Sequence, residues 1–249
     1  MLTSEIPLQT EHAEESVEVI NPSGDGLFLL VCEHASNFIP AELNHLGLDE
    51  DALESHIAWD PGARDVAVKL SALLDAPLVA PQISRLVYDC NRPPHNESAV
   101  TEKSENTTIP GNSGLSSEDR AQRNQRFFLP FNEALDGVIQ RKIAQGIKPV
   151  LITIHSFTPL YDGVHRDTEI GFIHDRDTRL ADEMLGIAAT TAAYRVGRNT
   201  PYGPSDGVTQ TLIAHALPHN LLNVMVEIRN DLIGDAEGCA GMAEWVAML

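Results

Sequence analysis

The stretch FLLVCEHASNFIP, Phe28–Pro40, decides the architecture. It begins with four apolar residues and a cysteine without a polar break, the pattern of a strand buried on both faces, as in a parallel sheet covered by helices. Directly behind the run stand Glu33 and His34. Open α/β sheets bind ligands just outside the carboxyl ends of their strands, so an ionisable pair at that point marks a rim on which a site would be built. A single histidine there more commonly serves a hydrogen bond than a ligand, and its meaning depends on what else reaches the same rim.

Three other apolar runs end in the same way. LVYDCNR ends at Arg92, VLITIHS carries His155 and NVMVEIRND carries Glu227 and Arg229. Two imidazoles, a carboxylate and guanidinium groups converging on one edge suit a zinc hydrolase, because Zn²⁺ takes His nitrogen and carboxylate oxygen and leaves a position open for water. Taken alone, Glu227 reads equally well as an ion-pair partner of Arg229 on a sheet edge.

Outward from these runs, short β-rich segments alternate with amphipathic ones. Strands are expected at Leu27–Cys32, Pro77–Ala80, Leu86–Cys90, Pro149–His155, Glu169–His174, Ala193–Gly197 and Leu222–Ile228. Helices are expected at Pro61–Leu74, Ser117–Gln145 with a break near Pro130, Asp177–Ala188 and Gly207–Ala216. The opening DPGARDVAVKL places Asp60 as N-cap and Pro61 in the first turn. The pattern predicts a three-layer α/β fold, a mostly parallel mixed sheet with helices on both faces. A chain of 249 residues with 43% hydrophobic content fits one such domain, residues 1–249. Segment 93–116 is polar, rich in turn formers and longer than most connections, which marks it as a flexible loop or lid.

The formal charge of −19, with no Lys or Arg before Arg64, disfavours nucleic-acid and anionic-membrane partners. MLTSEIPLQTEHAEESVEVI has neither the basic nor the apolar part of a signal peptide, and no apolar run is long enough to span a bilayer, so a cytoplasmic chain is expected. Cys32, Cys90 and Cys239 are too widely spaced for a zinc knuckle or a disulfide framework and read as buried thiols. Nothing in the sequence specifies an oligomeric state.

The segments VCEHASNFIP, HIAWDPGA, SRLVYDCNRP, TIHSFTP, IGFIHDRD, NTPYGPSDGVTQTL and VEIRNDLI occur in order between Val31 and Ile233. In them the chain resembles the N-formylglutamate amidohydrolase family, which belongs with the zinc-dependent exopeptidase-like hydrolases. YDCNR also resembles the Asp-Leu-Asn-Arg segment with which zinc carboxypeptidases hold a terminal carboxylate, with Cys90 in place of Leu. The resemblance implies one Zn²⁺ per chain on His34, Asp60 and His155. Glu33 and Asp65 remain alternatives to Asp60, whose capping role needs no metal; Glu33 would otherwise accept a hydrogen bond from a ligand histidine.

The resemblance further implies that Glu227 moves the proton and that Asn91 and Arg92 grip a carboxylate of the substrate. Arg85, Arg126 and Arg229 are candidates for a second carboxylate or for ordering Glu227, and Tyr202 for a hydroxyl near the reacting carbonyl. The implied activity is hydrolysis of the amide of a small-molecule N-acyl amino acid, foremost N-formyl-L-glutamate. Alternatives are a deacylase or carboxypeptidase acting on another N-acyl amino acid or short peptide, and a non-catalytic carboxylate-binding protein. A serine or cysteine hydrolase is disfavoured, since no G-x-S-x-G elbow is present and Cys32 lies inside an apolar run.

Overall fold

Unbroken apolar runs become the central strands and alternating or short ones the edges. The computed structural model describes residues 16–94 and 96–249. In chain order the strands are β1 (Val17–Ile20), β2 (Phe28–Val31), β3 (Leu78–Pro81), the short pair β4 (Lys103–Ser104) and β5 (Thr107–Thr108), and β6 (Val150–Phe157). There follow the short pair β7 (Leu160–Tyr161) and β8 (Val164–His165), then β9 (Ile170–Ile173), β10 (Val196–Arg198) and β11 (Asn223–Arg229). The helices are α1 (Glu50–Glu54), α2 (Ala63–Leu73), α3 (Ser117–Arg123), α4 (Leu129–Ala144), α5 (Arg179–Thr191) and α6 (Ala236–Met248).

Seven strands form one sheet in the order β1-β3-β2-β6-β11-β9-β10. The pairs β3–β2, β2–β6, β6–β11 and β9–β10 are parallel, while β1–β3 and β11–β9 are antiparallel. This is the mostly parallel mixed α/β sheet expected, covered on both faces. On one face Leu30, Ile152, Ile154, Val224 and Val226 pack against α2, α5 and α6. On the other, Leu29, Val31, Leu151 and Met225 pack against α4 and the turns around Leu212. Side chains alternate along a strand, so Glu33, His155 and Glu227, which continue the second set by steps of two, emerge on the α4 face at the strands' carboxyl ends. No helix among the described residues is long and apolar enough to cross a membrane.

Several local expectations need correction. Leu86–Cys90 is not a strand. The Ser84 hydroxyl accepts the Leu86 N–H at 3.1 Å and the Ser84 carbonyl accepts that of Val87 at 2.9 Å, which turns the chain before a ladder can form. Its apolar residues are buried in a third cluster of loops, with Ile57, Val100, Ile109 and Phe128.

Asp60 is not the N-cap of α2. Gly62 occupies that place at φ 80°, with its α-carbon against the Ile233 carbonyl, where a Cβ would come within 2.4 Å. The expected helix from Gly207 begins at 210, is a π-turn over Leu212–Ala216 and ends in a 3₁₀ turn, Leu217–His219. The break expected near Pro130 is a π-turn, Asn124–Phe128, just ahead of a proline that offers no N–H. β1 and α6 were not anticipated.

Segment 93–116 contains 3₁₀ turns at Glu97–Val100 and Pro110–Asn112 and the β4–β5 hairpin. Ala99, Val100 and Ile109 are buried. Buried Asn112 donates to the Leu86 and Thr101 carbonyls and accepts from Arg123, tying the segment to the 84–92 turn and to α3.

Candidate metal centre and substrate cavity

At the rim formed by β2, β6 and β11, buried His34, Asp60 and His155 each turn one ligand-capable atom toward a common point. His34 Nδ1 lies 3.2 Å from His155 Nδ1, and Asp60 Oδ2 lies 3.3 Å from the former and 2.9 Å from the latter. Asp60 reaches this point because the PGA turn lifts its carboxylate off the helix axis, where it also accepts the Ser156 N–H at 3.2 Å. Of its rivals, Asp65 is exposed on α2 and Glu33 stands behind His155.

The outer ring nitrogens also face carboxylates. His34 Nε2 is 2.8 Å from Asp89 Oδ1, and His155 Nε2 is 3.0 Å from Glu33 Oε2, the latter without the alignment of a hydrogen bond. With each ring's proton on its outer nitrogen, two inner lone pairs and a carboxylate oxygen lie within 3.3 Å of one another. Such a donor set fits a cation. Without one, protons take its place. Burial works against protonated His155, yet Glu33 and Asp60 hold its pKa well above the usual range; burial and Arg85 oppose His34, and Asp89 and Asp60 outweigh them. Burial likewise works against the Asp60 carboxylate, but the two imidazoles hold its pKa below the ordinary value.

Glu227 is the cross-strand partner of His155 in the parallel β6–β11 register. Its other neighbour, in β9, is Gly171, whose α-carbon lies against the Thr200 carbonyl so that a Cβ would come within 1.9 Å. Glu227 Oε2 is buried without a hydrogen-bond partner. Burial, with Asp60 adding to it and His155 opposing, pushes the carboxyl up to about 7, the range of a group that exchanges protons near neutrality.

A cavity of about 230 Å³ opens over this cluster. Of the residues singled out in the sequence, His34, Asp60, His155, Glu227, Arg85, Asn91, Arg92 and Tyr202 all line it. Arg85 spans Asp60 and Asp89 at 3.3 and 3.1 Å. Asn91 donates to the Val208 carbonyl at 2.7 Å and accepts the Thr211 N–H at 3.2 Å, fastening the 207–211 turn over the cavity. Arg92 donates to the Asp206 carbonyl at 2.5 Å and is 3.5 Å from Asp89 Oδ2.

Arg126 and Arg229 are not brought to the cavity. Arg126 pairs with Glu42 on the surface and Arg229 leans past the end of β11 to Asp231 and Glu169. Sequence reasoning missed Asp89, although it sits two residues before Asn91 in the YDCNR motif. It also missed His56 and Glu105, a pair 2.5 Å apart in the cavity wall, for which sequence spacing offers no signal.

The N-formylglutamate amidohydrolase family profile matches residues 27–234. No protein of curated function matches the chain. Among solved structures, gene product Atu2144 from Agrobacterium tumefaciens is 51% identical with a TM-score of 0.93, over 96% of this chain and 95% of that one. N-formylglutamate amidohydrolase from Ralstonia eutropha JMP134 shares the fold at 19% identity, with a TM-score of 0.64 over 94% of each chain. The ordered motifs, the paired imidazoles at the sheet rim and a match over most of the length lead to one conclusion: the chain belongs to the N-formylglutamate amidohydrolase family.

Proposed function

We propose that this protein is a zinc-dependent amidohydrolase that cleaves the acyl amide bond of an N-acyl amino acid, foremost N-formyl-L-glutamate to formate and glutamate. The observation that carries the reading is a proton-exchanging carboxyl, Glu227, standing in register beside the His34–Asp60–His155 cluster in the lining of one cavity. The donors are two imidazole nitrogens and a carboxylate oxygen, a set that suits Zn²⁺; when bound, the ion supplies Lewis acidity toward the acyl carbonyl. Arg92 holds the α-carboxylate that every N-acyl amino acid carries. Glu227, as carboxylate, takes a proton from the attacking water and returns it to the departing nitrogen, so that the C–O bond to the acyl carbon forms, the C–N bond breaks and the nitrogen leaves as a neutral amine instead of an anion. Asp89 and Glu33 keep the two rings turned with Nδ1 inward. Tyr202 lines the same space, and segment 93–116, which contributes Ser98, Thr101, Ser104 and Glu105 to the wall, acts as the cover that limits water. The cytoplasm is the compartment that suits this reaction.

The test is formate release from N-formyl-L-glutamate by zinc-loaded protein, its loss in chelator, and its return on adding zinc. A protein that holds zinc but cleaves none of N-formyl-Glu, N-formyl-Gln, N-formyl-Ala and N-acetyl-Glu removes the hydrolase reading and leaves a carboxylate-binding protein.

A further inference from the structure

A substrate with two carboxylates needs two cationic contacts, and the cavity wall offers few. Arg85 is spent on Asp60 and Asp89, Arg92 has one face toward Asp89 and serves the carboxylate common to all N-acyl amino acids, and Arg126 and Arg229 are paired elsewhere. One guanidinium beside the cavity has no such commitment. Half-buried Arg166, which follows the β7–β8 hairpin, lies 5.6 Å from the ring centre of Phe157, 4.5 Å from that of Tyr161 and 4.8 Å from that of Tyr202. All three rings line the cavity, and the guanidinium lies against them just outside the lining itself.

The side chain makes a single long hydrogen bond, 3.4 Å to the Thr158 carbonyl, and no carboxylate among the described residues pairs with it. Its backbone is fixed on both sides. The Arg166 N–H donates to the Pro159 carbonyl at 2.9 Å, and its carbonyl accepts from Arg229 at 3.2 Å. Arg229, two residues beyond Glu227, thus anchors Arg166 instead of meeting substrate itself. Aromatic faces hold a guanidinium flat while leaving its in-plane N–H fork free, the geometry that reads a carboxylate with two hydrogen bonds. The Tyr202 hydroxyl belongs to the same space: burial and the Glu227 charge raise it, and Arg166 and Arg85 oppose them.

We infer that Arg166, stacked on Tyr161 and Tyr202, is the reader of the substrate's side-chain carboxylate, so that the cavity selects dicarboxylic N-acyl amino acids with Arg92 on one carboxylate and Arg166 on the other. The inference rests on the hydrolase reading for the identity of the substrate but not for the existence of the subsite, and two measurements separate them.

The first is calorimetric binding of L-glutamate and L-glutamine, which differ only in side-chain charge, to zinc-loaded parent, Arg166→Gln and Arg166→Lys protein. The second is the ratio of kcat/KM for N-formyl-L-glutamate to that for N-formyl-L-glutamine on the same proteins. The parent is expected to favour the acidic member in both, and Arg166→Gln to reduce each preference by roughly 10- to 100-fold, the loss of a hydrogen bond to a charged group. Arg166→Lys keeps the charge without the fork, retains part of the preference, and reports alone if the glutamine variant does not fold. Equal affinity of the parent for glutamate and glutamine overturns the inference, as does a parental ratio preserved in the variants, even while hydrolysis stands. A glutamate preference that depends on Arg166 in a protein that cleaves no N-acyl amino acid upholds the subsite and removes the hydrolase.

Discussion

Two groups of buried histidine in this fold have opposite accounts. His215, in the π-turn under α4, has Nδ1 2.7 Å from Asp136 and Nε2 2.7 Å from Asn132, so each ring nitrogen has one partner of its own. At the rim, His34 and His155 have carboxylates behind them, yet turn their inner nitrogens on each other 3.2 Å apart. A buried polar group is normally satisfied, and the first site obeys that rule with protein atoms alone. The second obeys it only when something positive sits between the rings. Burial does not distinguish these two groups of histidine; what each ring nitrogen faces does.

The contrast breaks most visibly if the rim histidines are replaced. His34→Ala or His155→Ala should take zinc from about one per chain to near none and reduce activity to background, read by elemental analysis beside turnover. Retention of tight zinc by either variant would put the ion elsewhere. Next in size, Glu227→Gln should lower kcat by about 10²–10⁴-fold with metal content intact. A base works deprotonated, so the parent's kcat should rise with pH along an acid limb. The carboxyl lies at about 7 without metal, and a cation beside it draws the limb to that value or below. The glutamine variant should lose the limb; loss of metal would make Glu227 a ligand instead.

Asp89→Asn sharpens the comparison at the next level. It removes the carboxylate behind His34 and should weaken zinc affinity by about 10–100-fold in a competition titration against a chelator. An unchanged affinity would reduce Asp89 to a partner of Arg85. The smallest effect on function belongs to the satisfied histidine. His215→Leu should leave zinc content and kcat/KM at parental values while costing about 1–3 kcal/mol in urea unfolding, because the half-buried Asn132 loses its partner. Loss of zinc there would erase the distinction between the two groups.

What could be read in advance followed from where burial and local chemistry agree. β2, β6 and β11 are apolar on both faces and end in ionisable residues, so strand, direction and rim were all visible in FLLVCEH, VLITIHS and NVMVEIR. Leu86–Cys90 is as apolar as these, but its burial comes from loops, and one serine hydroxyl redirects its backbone. β1, VEVI, is four residues with a charge at Glu18 and is paired on one side only, too weak a signal for a strand. At the site, the family resemblance of the motifs implied His34, His155 and a carboxylate, with Asp60 open to rivals until the fold placed it between the rings. The His56–Glu105 pair in the cavity wall and Arg166 against the rings that line it were not implied, since the hairpin and segment 93–116 bring them there from positions that sequence spacing does not relate.

The pairing of His155 with Glu227 across β6 and β11 has a consequence for how this chain can change length. Strand side chains repeat every two residues, so one residue inserted upstream in either strand would slide Ile154 or Val226 to the rim and send an ionisable group into the helix-packed interior. Neighbouring strands β2 and β9 hold the same two strands from outside, which leaves no free edge along which the slip could be absorbed. A single-residue insertion in β6 or β11 that shifts the register therefore costs the packing of the sheet as well as the geometry of the rim. The hairpin tip at Asp162–Gly163, exposed at the rim, can lengthen or shorten without moving either partner. Length can change there while His155 and Glu227 stay in register.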